Sequence, residues 1–288
     1  MRRACIDIGS NTTRLLVADC GAGGLVEVHQ ERAFTQLGRA LSADGAIAPE
    51  KLTEVVGAVA GQLASAATHG AGEIRCVATA SVRRAANRAE LVERIARECG
   101  LEVEVLSGER EARLAFIGAT GMLERVPRGP LGVADVGGGS CELIVGSAPD
   151  VIGWWASLEL GSSTVTELAI GSDPPARVEI EAASAAVASA LAGVEPPAVE
   201  RVVAVGGSAT SLRRLAGGVL DAAALERSLD ALCGAPVSAL AERLSLDPAR
   251  VRLLPAAIVI LRSIAEVFGR PLEIGRGGIR EGALLEVR

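Results

Sequence analysis

Two short segments combine an acidic residue with glycine and small polar residues, directly after a run of apolar residues. The first is Asp7–Asn11 (DIGSN, the first loop), and the second is Asp135–Ser140 (DVGGGS, the second loop). Glycine lets the backbone turn tightly, and successive backbone N–H groups in such a turn form a concavity that accepts phosphate oxygens. The acid would repel a phosphate directly, but it can hold Mg²⁺ or orient a water molecule. The two loops therefore predict binding of phosphate and a divalent cation.

A third glycine-rich segment, Gly206–Thr210 (GGSAT, the third loop), follows the apolar run Val202–Val205. Each loop taken alone could be an ordinary glycine turn, but three of them after predicted strand ends favour phosphate binding. The chain has no G-x-x-x-x-G-K-[ST] motif, and the third loop does not extend into G-x-G-x-x-G. A Walker-type P-loop and a dinucleotide-binding turn are therefore excluded.

Two other segments carry residue types that suit chemistry. Glu109 and Glu111 lie two residues apart at the predicted start of a helix, so at most one of them faces a given site. One of them could act as a general base for water. Alternatively, both could be acids placed at this end because they interact favourably with the helix dipole, and the residues alone favour this second interpretation. The hydroxyls and arginines of Ala78–Arg84 suit oxyanion binding, or else a solvated helix start.

The composition limits the classes of protein to consider. A chain of 288 residues, 49% hydrophobic but only 2% aromatic, is long enough for two domains of roughly 100–200 residues with cores of Ala, Val, Leu and Ile. Such cores are typical of α/β layers. The net charge of −6 argues against a general nucleic-acid-binding protein, and no apolar run reaches membrane-spanning length. Six cysteines without a C-x-x-C pair indicate reduced thiols in the cytoplasm.

The elements that must position these residues follow one pattern twice. In the first half, strands are predicted at 4–8, 15–18, 25–28, 74–79 and 103–106, and helices at 49–69, 87–99 and 109–120. Pro127, Gly129 and Pro130 predict a hinge. After it the pattern restarts, with strands predicted at 131–136, 141–145 and 151–158. We therefore expect one domain at 1–127 and a second at 128–288, the second with a largely helical C-terminal part.

Taken in order, these segments resemble the exopolyphosphatase and guanosine-pentaphosphate phosphatase (Ppx/GppA) family. The resemblance covers essentially the whole chain and rests on seven motifs, at 7–11, 78–83 with Asn87, 107–108 with 111–114, 135–143, 206–210, 254–258 and 278–282. It implies an α/β fold of two actin-like (ribonuclease-H-like) ATPase-superfold domains with an interdomain cleft.

The resemblance also implies roles for individual residues. Glu111 matches the carboxylate that activates water, which overrules the interpretation from the residues alone. Asp135 and Glu142 match acids that hold Mg²⁺ or help to orient water, and Asp7 is expected to face them from the other domain. The implied phosphate contacts are Gly9, Ser10, Asn11, Arg83, Gly137, Gly138, Gly139, Ser140, Gly206, Gly207 and Ser208.

Three positions depart from the family pattern. Arg110 stands where relatives often have a second acid, so it could lower the pKa of the neighbouring Glu111 or add a phosphate contact. Cys141 replaces the usual threonine of the second loop, which could weaken one hydrogen bond. Ser208 stands where threonine is more common in the third loop.

The activity that the resemblance implies is Mg²⁺-dependent hydrolysis of the terminal phosphoanhydride of inorganic polyphosphate. The alternatives are guanosine pentaphosphate 5′-phosphohydrolase, a sugar-kinase-like phosphotransferase or ATPase, and a non-catalytic phosphate sensor. The scarcity of aromatic side chains favours polyphosphate, because a guanine base would be expected to stack on one. Trp154 and Trp155 are the exceptions, and we expect at least one to lie in the core. The Ala-rich helices of the second half could form a homodimer interface, although core packing explains them equally well.

Overall fold

The computed structural model describes residues 1–21, 24–40, 44–125 and 127–286. The strands are β1 (Arg2–Ile8), β2 (Thr13–Gly21), β3 (Gly24–Ala33), β4 (Glu73–Ala78), β5 (Val103–Val105), β6 (Leu131–Val136), β7 (Cys141–Ser147), β8 (Val151–Leu158), β9 (Arg201–Val205), β10 (Val219–Leu220) and β11 (Leu272–Ile274). All the strands predicted from the sequence are among them.

The helices alternate with the strands in the first half and dominate the last third of the chain. They are α1 (Pro49–Thr68), α2 (Ala80–Arg84), α3 (Arg88–Cys99), α4 (Gly108–Gly121), α5 (Ser162–Ala169), α6 (Arg177–Leu191), α7 (Gly206–Ala216), α8 (Ala222–Cys233), α9 (Val237–Leu244), α10 (Pro248–Val251), α11 (Leu254–Phe268) and α12 (Ile279–Leu285), with a 3₁₀ turn at Leu37–Ala40. The local signals explain several ends: Pro49 opens α1, and Gly100, with φ of 63°, closes α3.

The chain divides into two compact units. The first unit is Met1–Met122 together with Gly277–Arg288, and the second is Leu123–Arg276. The boundary near residue 122 lies close to the predicted hinge, but the C-terminal segment differs from the predicted division because it packs with the first unit. Ala283 and Leu284 are buried in one apolar cluster with Cys5 and Leu114, a long-range contact that no local pattern encodes.

The sheet of the first unit has five strands in the order β3-β2-β1-β4-β5. The first three strands form an antiparallel meander, and β4 and β5 then add in parallel beside β1. Because β1 is central, its carboxyl end brings the first loop beside the end of β4.

The sheet of the second unit repeats this arrangement. Its order is β10-β11-β9-β6-β7-β8, with β6, β7 and β8 as the antiparallel meander and β9 and β11 parallel to β6. The short β10 adds an antiparallel edge strand. The two sheets share this strand order, which confirms the predicted α/β class with two related domains. The second and third loops follow the neighbouring strands β6 and β9.

The cores are built from aliphatic side chains, as the composition predicts. One cluster in the first unit packs β1, β2 and β4 against α1 and α3, and one in the second packs β6, β7 and β9 against α6 and α11. All six cysteines are free thiols. None of the helices in the described ranges is both long enough and apolar enough to cross a membrane.

Candidate functional site

The first loop is a tight turn whose outer side is held by backbone hydrogen bonds. The Gly9 N–H donates to the Thr12 carbonyl at 3.0 Å. The carbonyl oxygens of the next two loop residues accept from backbone N–H groups outside the loop, those of Gly38 at 2.7 Å and Gln36 at 3.0 Å respectively. A β-carbon on Gly9 would lie 3.1 Å from the Thr12 carbonyl oxygen, which is tighter than ordinary packing allows.

The second loop has the same construction in the other unit. The Gly137 N–H donates to the Ser140 carbonyl at 3.0 Å, and the carbonyls of Gly137 and Gly138 accept from the backbone N–H groups of Ser162 at 3.0 Å and Ser163 at 2.9 Å. The N-terminus of α5 therefore satisfies the carbonyl oxygens of this loop.

The parallel construction indicates which groups of each loop could meet phosphate. The N–H of the first glycine is used within the turn, and carbonyl oxygens behind it are tied from outside. We therefore expect the donors to be the backbone N–H groups of Ser10, Asn11 and Gly138–Ser140. In support, the Nδ2 atom of Asn11 is enclosed and has no hydrogen-bond partner among the described residues.

The third loop forms the start of α7 and lies against Asp135 of the second loop. Gly206 has φ of +85°, and a β-carbon there would overlap Oδ1 of Asp135, so only glycine fits. Ser208 is 2% exposed, and its Oγ donates to Ser162 Oγ at 3.3 Å. Because Ser162 also donates to the Gly137 carbonyl, at 3.2 Å, the second and third loops are joined through this one side chain.

Arg250 is a candidate residue that the sequence analysis missed. It is only 6% exposed, and a β-carbon on Gly207 would lie 3.0 Å from its Nη2 and 3.2 Å from its Nη1. A buried guanidinium therefore packs flat against the backbone of the third loop, where it could contact a bound phosphate. No sequence signal distinguishes Arg250 from the neighbouring Arg252, because only the tertiary packing buries one of them.

Asp135 and Glu142 form the acidic part of the second unit. They lie directly opposite each other on β6 and β7, are 7% and 2% exposed, and share one face of the sheet. Ser157 on β8 donates to Oε1 of Glu142 at 3.0 Å. Two carboxylates paired across neighbouring strands in this way could hold a cation together.

The third predicted metal ligand, Asp7, belongs to the first unit. Its Oδ1 atom is enclosed and has no hydrogen-bond partner within the described ranges. Burial raises the pKa of Asp7 above its ordinary value, although the positive charges of Arg14 and Arg280 act to lower it. An enclosed carboxylate oxygen without a donor fits a cation ligand. However, no group of three or more His, Cys, Asp or Glu side chains arranged to hold a metal occurs in the part of the chain that the structure describes. The predicted set is therefore a pair on the second unit and a single acid on the first.

Replacing Asp7 by Asn is expected to stabilise the folded protein, because it removes a charge whose burial is unfavourable. The thermal unfolding midpoint in EDTA should rise by roughly 2–4 °C, and any further rise on adding Mg²⁺ should be smaller than in the wild type. Asp19→Asn is the matched control, and it is expected to lower the thermal unfolding midpoint. Asp19 is paired with Arg2 at 2.9 Å, which lowers its pKa, so its charge contributes stability at neutral pH. A lower midpoint for Asp7→Asn would contradict the assignment.

Glu111 is the buried carboxylate of the first unit. It is 1% exposed and lies in the first turn of α4, whereas Glu109 is exposed. The Nη1 atom of Arg83 donates to Glu111 Oε1 and, at 2.7 Å, to the carbonyl of Leu106. Both of these hydrogen bonds come from the Nη1 nitrogen of Arg83, and its side chain is 26% exposed. Arg83 therefore positions Glu111 and could still contact phosphate through its other nitrogens.

The three family departures have structural explanations. The guanidinium of Arg110 donates to Glu104 and Glu286, so these donors are engaged within the protein and do not favour the phosphate contact. Cys141 is fully buried in the apolar core of the second unit, so a threonine hydroxyl at this position would face that core. Burial, with the nearby charge of Glu142, raises the pKa of its thiol. Ser208 keeps a hydroxyl in the third loop.

The two tryptophans lie next to each other on β8 but differ in environment. Trp154 is half-buried and packs against the core of the second unit, so it lies at the edge of the core and not within it. Trp155 is 41% exposed.

Comparisons with known proteins agree with this architecture. The model of the Ppx/GppA phosphatase family matches residues 16–287. Exopolyphosphatase 2 of Mycobacterium tuberculosis is 34% identical over 246 residues, which cover 79% of this chain and 75% of that protein. Exopolyphosphatase 1 of the same species is 32% identical over 180 residues, 62% of this chain and 51% of that protein.

Solved structures agree as well. The Ppx/GppA enzyme of Aquifex aeolicus is 29% identical and superposes with a TM-score of 0.81 over 99% of both chains. An exopolyphosphatase-like protein is 27% identical, with a TM-score of 0.87 over 99% of this chain and 96% of the other. The chain described here belongs to the Ppx/GppA phosphatase family.

Proposed function

We propose that the protein is an exopolyphosphatase, which hydrolyses the terminal phosphoanhydride of inorganic polyphosphate and releases orthophosphate. The observation that carries the proposal is Glu111, a buried carboxylate held by Arg83. The glycine loops alone would suit a kinase equally well, but a fixed carboxylate that can take a proton from water favours hydrolysis. The similarity to the two mycobacterial exopolyphosphatases supports polyphosphate as the substrate.

The phosphate contacts are assigned by unit. In the first unit, we assign them to Ser10, Asn11 and the remaining N–H groups of Arg83. In the second unit, the N–H groups of the second and third loops and the Arg250 guanidinium would meet phosphate oxygens. Charged and backbone donors fixed before the substrate arrives need little reorganisation during the reaction.

Mg²⁺ fits the acids that we assign to it. In the second unit, Asp135 and Glu142 would hold the ion together. In the first unit, considered by itself, the enclosed Oδ1 of Asp7 is a candidate cation ligand. When bound, Mg²⁺ supplies positive charge that offsets the negative charge of the phosphate oxygens. We also propose a cytoplasmic location, in line with six free thiols. The possible homodimer stays a prediction.

The test is phosphate release with Mg²⁺ from short polyphosphate, long polyphosphate, guanosine pentaphosphate and ATP, measured side by side, with EDTA as the control. We expect the largest kcat/KM for one of the polyphosphates and none in EDTA. A larger kcat/KM for guanosine pentaphosphate would make the protein a nucleotide phosphohydrolase. Phosphate transfer from ATP to a sugar in place of release would indicate a kinase, and tight binding without turnover would indicate a sensor.

A further inference from the structure

The C-terminal helix α12 lies against α4 with no room for side chains between the two backbones. A β-carbon on Gly118 of α4 would overlap the carbonyl oxygen of Gly278 and would lie 2.8 Å from its nitrogen. A β-carbon on Gly282 would likewise overlap the backbone at Leu114. Glycines at these positions therefore allow close approach, and they fix where α12 sits along α4.

Ionic contacts then join the last described residue to the first turn of α4. Arg110 donates from Nη1 and Nη2 to the two carboxylate oxygens of Glu286, at 2.6 and 2.5 Å, and from Nε to Glu104 at 2.9 Å. Arg75, 7% exposed, donates to Glu104 at 3.0 Å and to the carbonyl of Ala283 at 2.6 Å. Arg110 and Glu286 therefore form a bidentate ion pair within a network of charges. Such a pair fixes the relative position of its two side chains better than an isolated surface ion pair does.

The electrostatics of the pair are consistent with a firm contact. Glu286 is 13% exposed. Its burial opposes ionisation, but the hydrogen bond and charge of Arg110, with the charge of Arg75, hold its pKa below the ordinary value. The hydrogen bond to Glu286 raises the pKa of Arg110, so both partners stay charged at neutral pH.

Arg110 and Glu111 are consecutive residues with different partners. Arg110 is bound to Glu286, the residue directly after α12, and to Glu104 of β5, whereas Glu111 is bound to Arg83 of α2. The first turn of a helix lacks half of its internal hydrogen bonds and is the part that frays. Here the N-cap Ser107 provides one local contact, by accepting from the Arg110 N–H at 3.2 Å. The pair with Glu286 adds a tertiary one.

We propose that the Arg110–Glu286 ion pair is a positioning element for Glu111, so that α12 holds the first turn of α4 in place for water activation. The inference rests on the proposed function only for its effect on rate. Its structural part is that α12 holds the first turn of α4 in place, and this part does not depend on which substrate the protein uses.

The test is a double-mutant cycle with Arg110→Gln, Glu286→Gln and the two together, assayed for phosphate release from polyphosphate with Mg²⁺. We expect each single variant to lower kcat by about tenfold with little change in KM, because a small displacement of a catalytic group is costly. The double variant should lose no more than either single one, and Arg110→Lys should recover part of the loss.

The matched control is Arg201→Gln, which breaks another bidentate pair, with Glu273 at 2.9 and 2.7 Å, in the second unit. It should lower stability comparably and leave kcat unchanged. Variants at 110 and 286 that lower only the unfolding midpoint, with kcat equal to the control, would overturn the positioning role.

A second measurement separates this inference from the proposed function. Amide hydrogen exchange across 108–114 should accelerate in Arg110→Gln and Glu286→Gln but not in Arg201→Gln. Unchanged exchange overturns the inference even if the enzyme hydrolyses polyphosphate. Accelerated exchange in a protein that releases no phosphate from polyphosphate would retain the structural part and refute the proposed function.

Discussion

Replacing Glu111 by Gln is expected to lower the kcat for phosphate release by about 10²–10⁴-fold, the usual contribution of a general base. Gln has nearly the same shape and still offers an oxygen to Arg83, but it cannot take a proton from water. The unfolding midpoint should change little, because the contact with Arg83 is kept and only the charge of the buried side chain is lost. The measurement is steady-state phosphate release with Mg²⁺, together with thermal unfolding of the same preparation.

Glu109→Gln is the matched control for this substitution. Glu109 lies in the same first turn of α4, but its side chain is exposed, so its loss should leave kcat within about twofold of the wild type, as for ordinary surface substitutions. Near-wild-type activity in Glu111→Gln would sink the assignment of the base. A large loss in both variants would point instead to the net charge of the helix start.

Replacing Gly161 by Ala is expected to displace the second loop and to lower phosphate release by at least about tenfold, since misplaced binding groups are costly. Gly161 has φ of −129° and ψ of 165°, which alanine adopts freely, so backbone conformation is not the obstacle. The obstacle is contact, because the added methyl group would overlap the backbone of Gly138 and Gly139. Backbone cannot rotate away as a flexible side chain can. We expect a loss of about 1–3 kcal/mol in unfolding free energy, as for other overpacked sites.

Gly153→Ala provides the comparison for a glycine in the same unit. A β-carbon on Gly153 of β8 would lie 3.8 Å from the nearest backbone oxygen, that of Val145, which is ordinary contact. Its activity and unfolding midpoint should stay close to those of the wild type. Equal effects of the two alanine substitutions would show that the close packing at Gly161 has no special role in holding the second loop.

The part of the fold that could be predicted is the part set by local pattern. Short apolar runs that end at glycine mark the central strands β1, β6 and β9, and proline and glycine mark the ends of α1 and α3. The repeated order of strand, acid, glycine turn and strand predicts two related sheets, and both have the same strand order. The small elements α2, β10 and β11 were not predicted, because segments this short carry little periodicity.

The candidate site likewise contains residues that the sequence predicts and residues that it does not. The three loops stand out in the sequence because glycine and an acid follow each other directly. Arg250 does not stand out, since nothing local separates this buried arginine from the half-buried Arg252. The choice between Glu109 and Glu111 also needed more than the helix pattern, because burial of one carboxylate depends on what packs over the first turn of α4.

The sequence by itself determined the α/β class, the three glycine loops after strand ends and the family resemblance, because each depends on residues close together in the chain. Only the tertiary structure decided that α12 belongs to the first unit, that Arg83 holds Glu111, and that Arg110 is bound by Glu286 rather than left for phosphate. These contacts join residues separated by 28 and 176 positions in the last two cases. Such pairings follow from how whole sheets and helices pack, and any of the chain's many arginines could have met either acid by sequence alone.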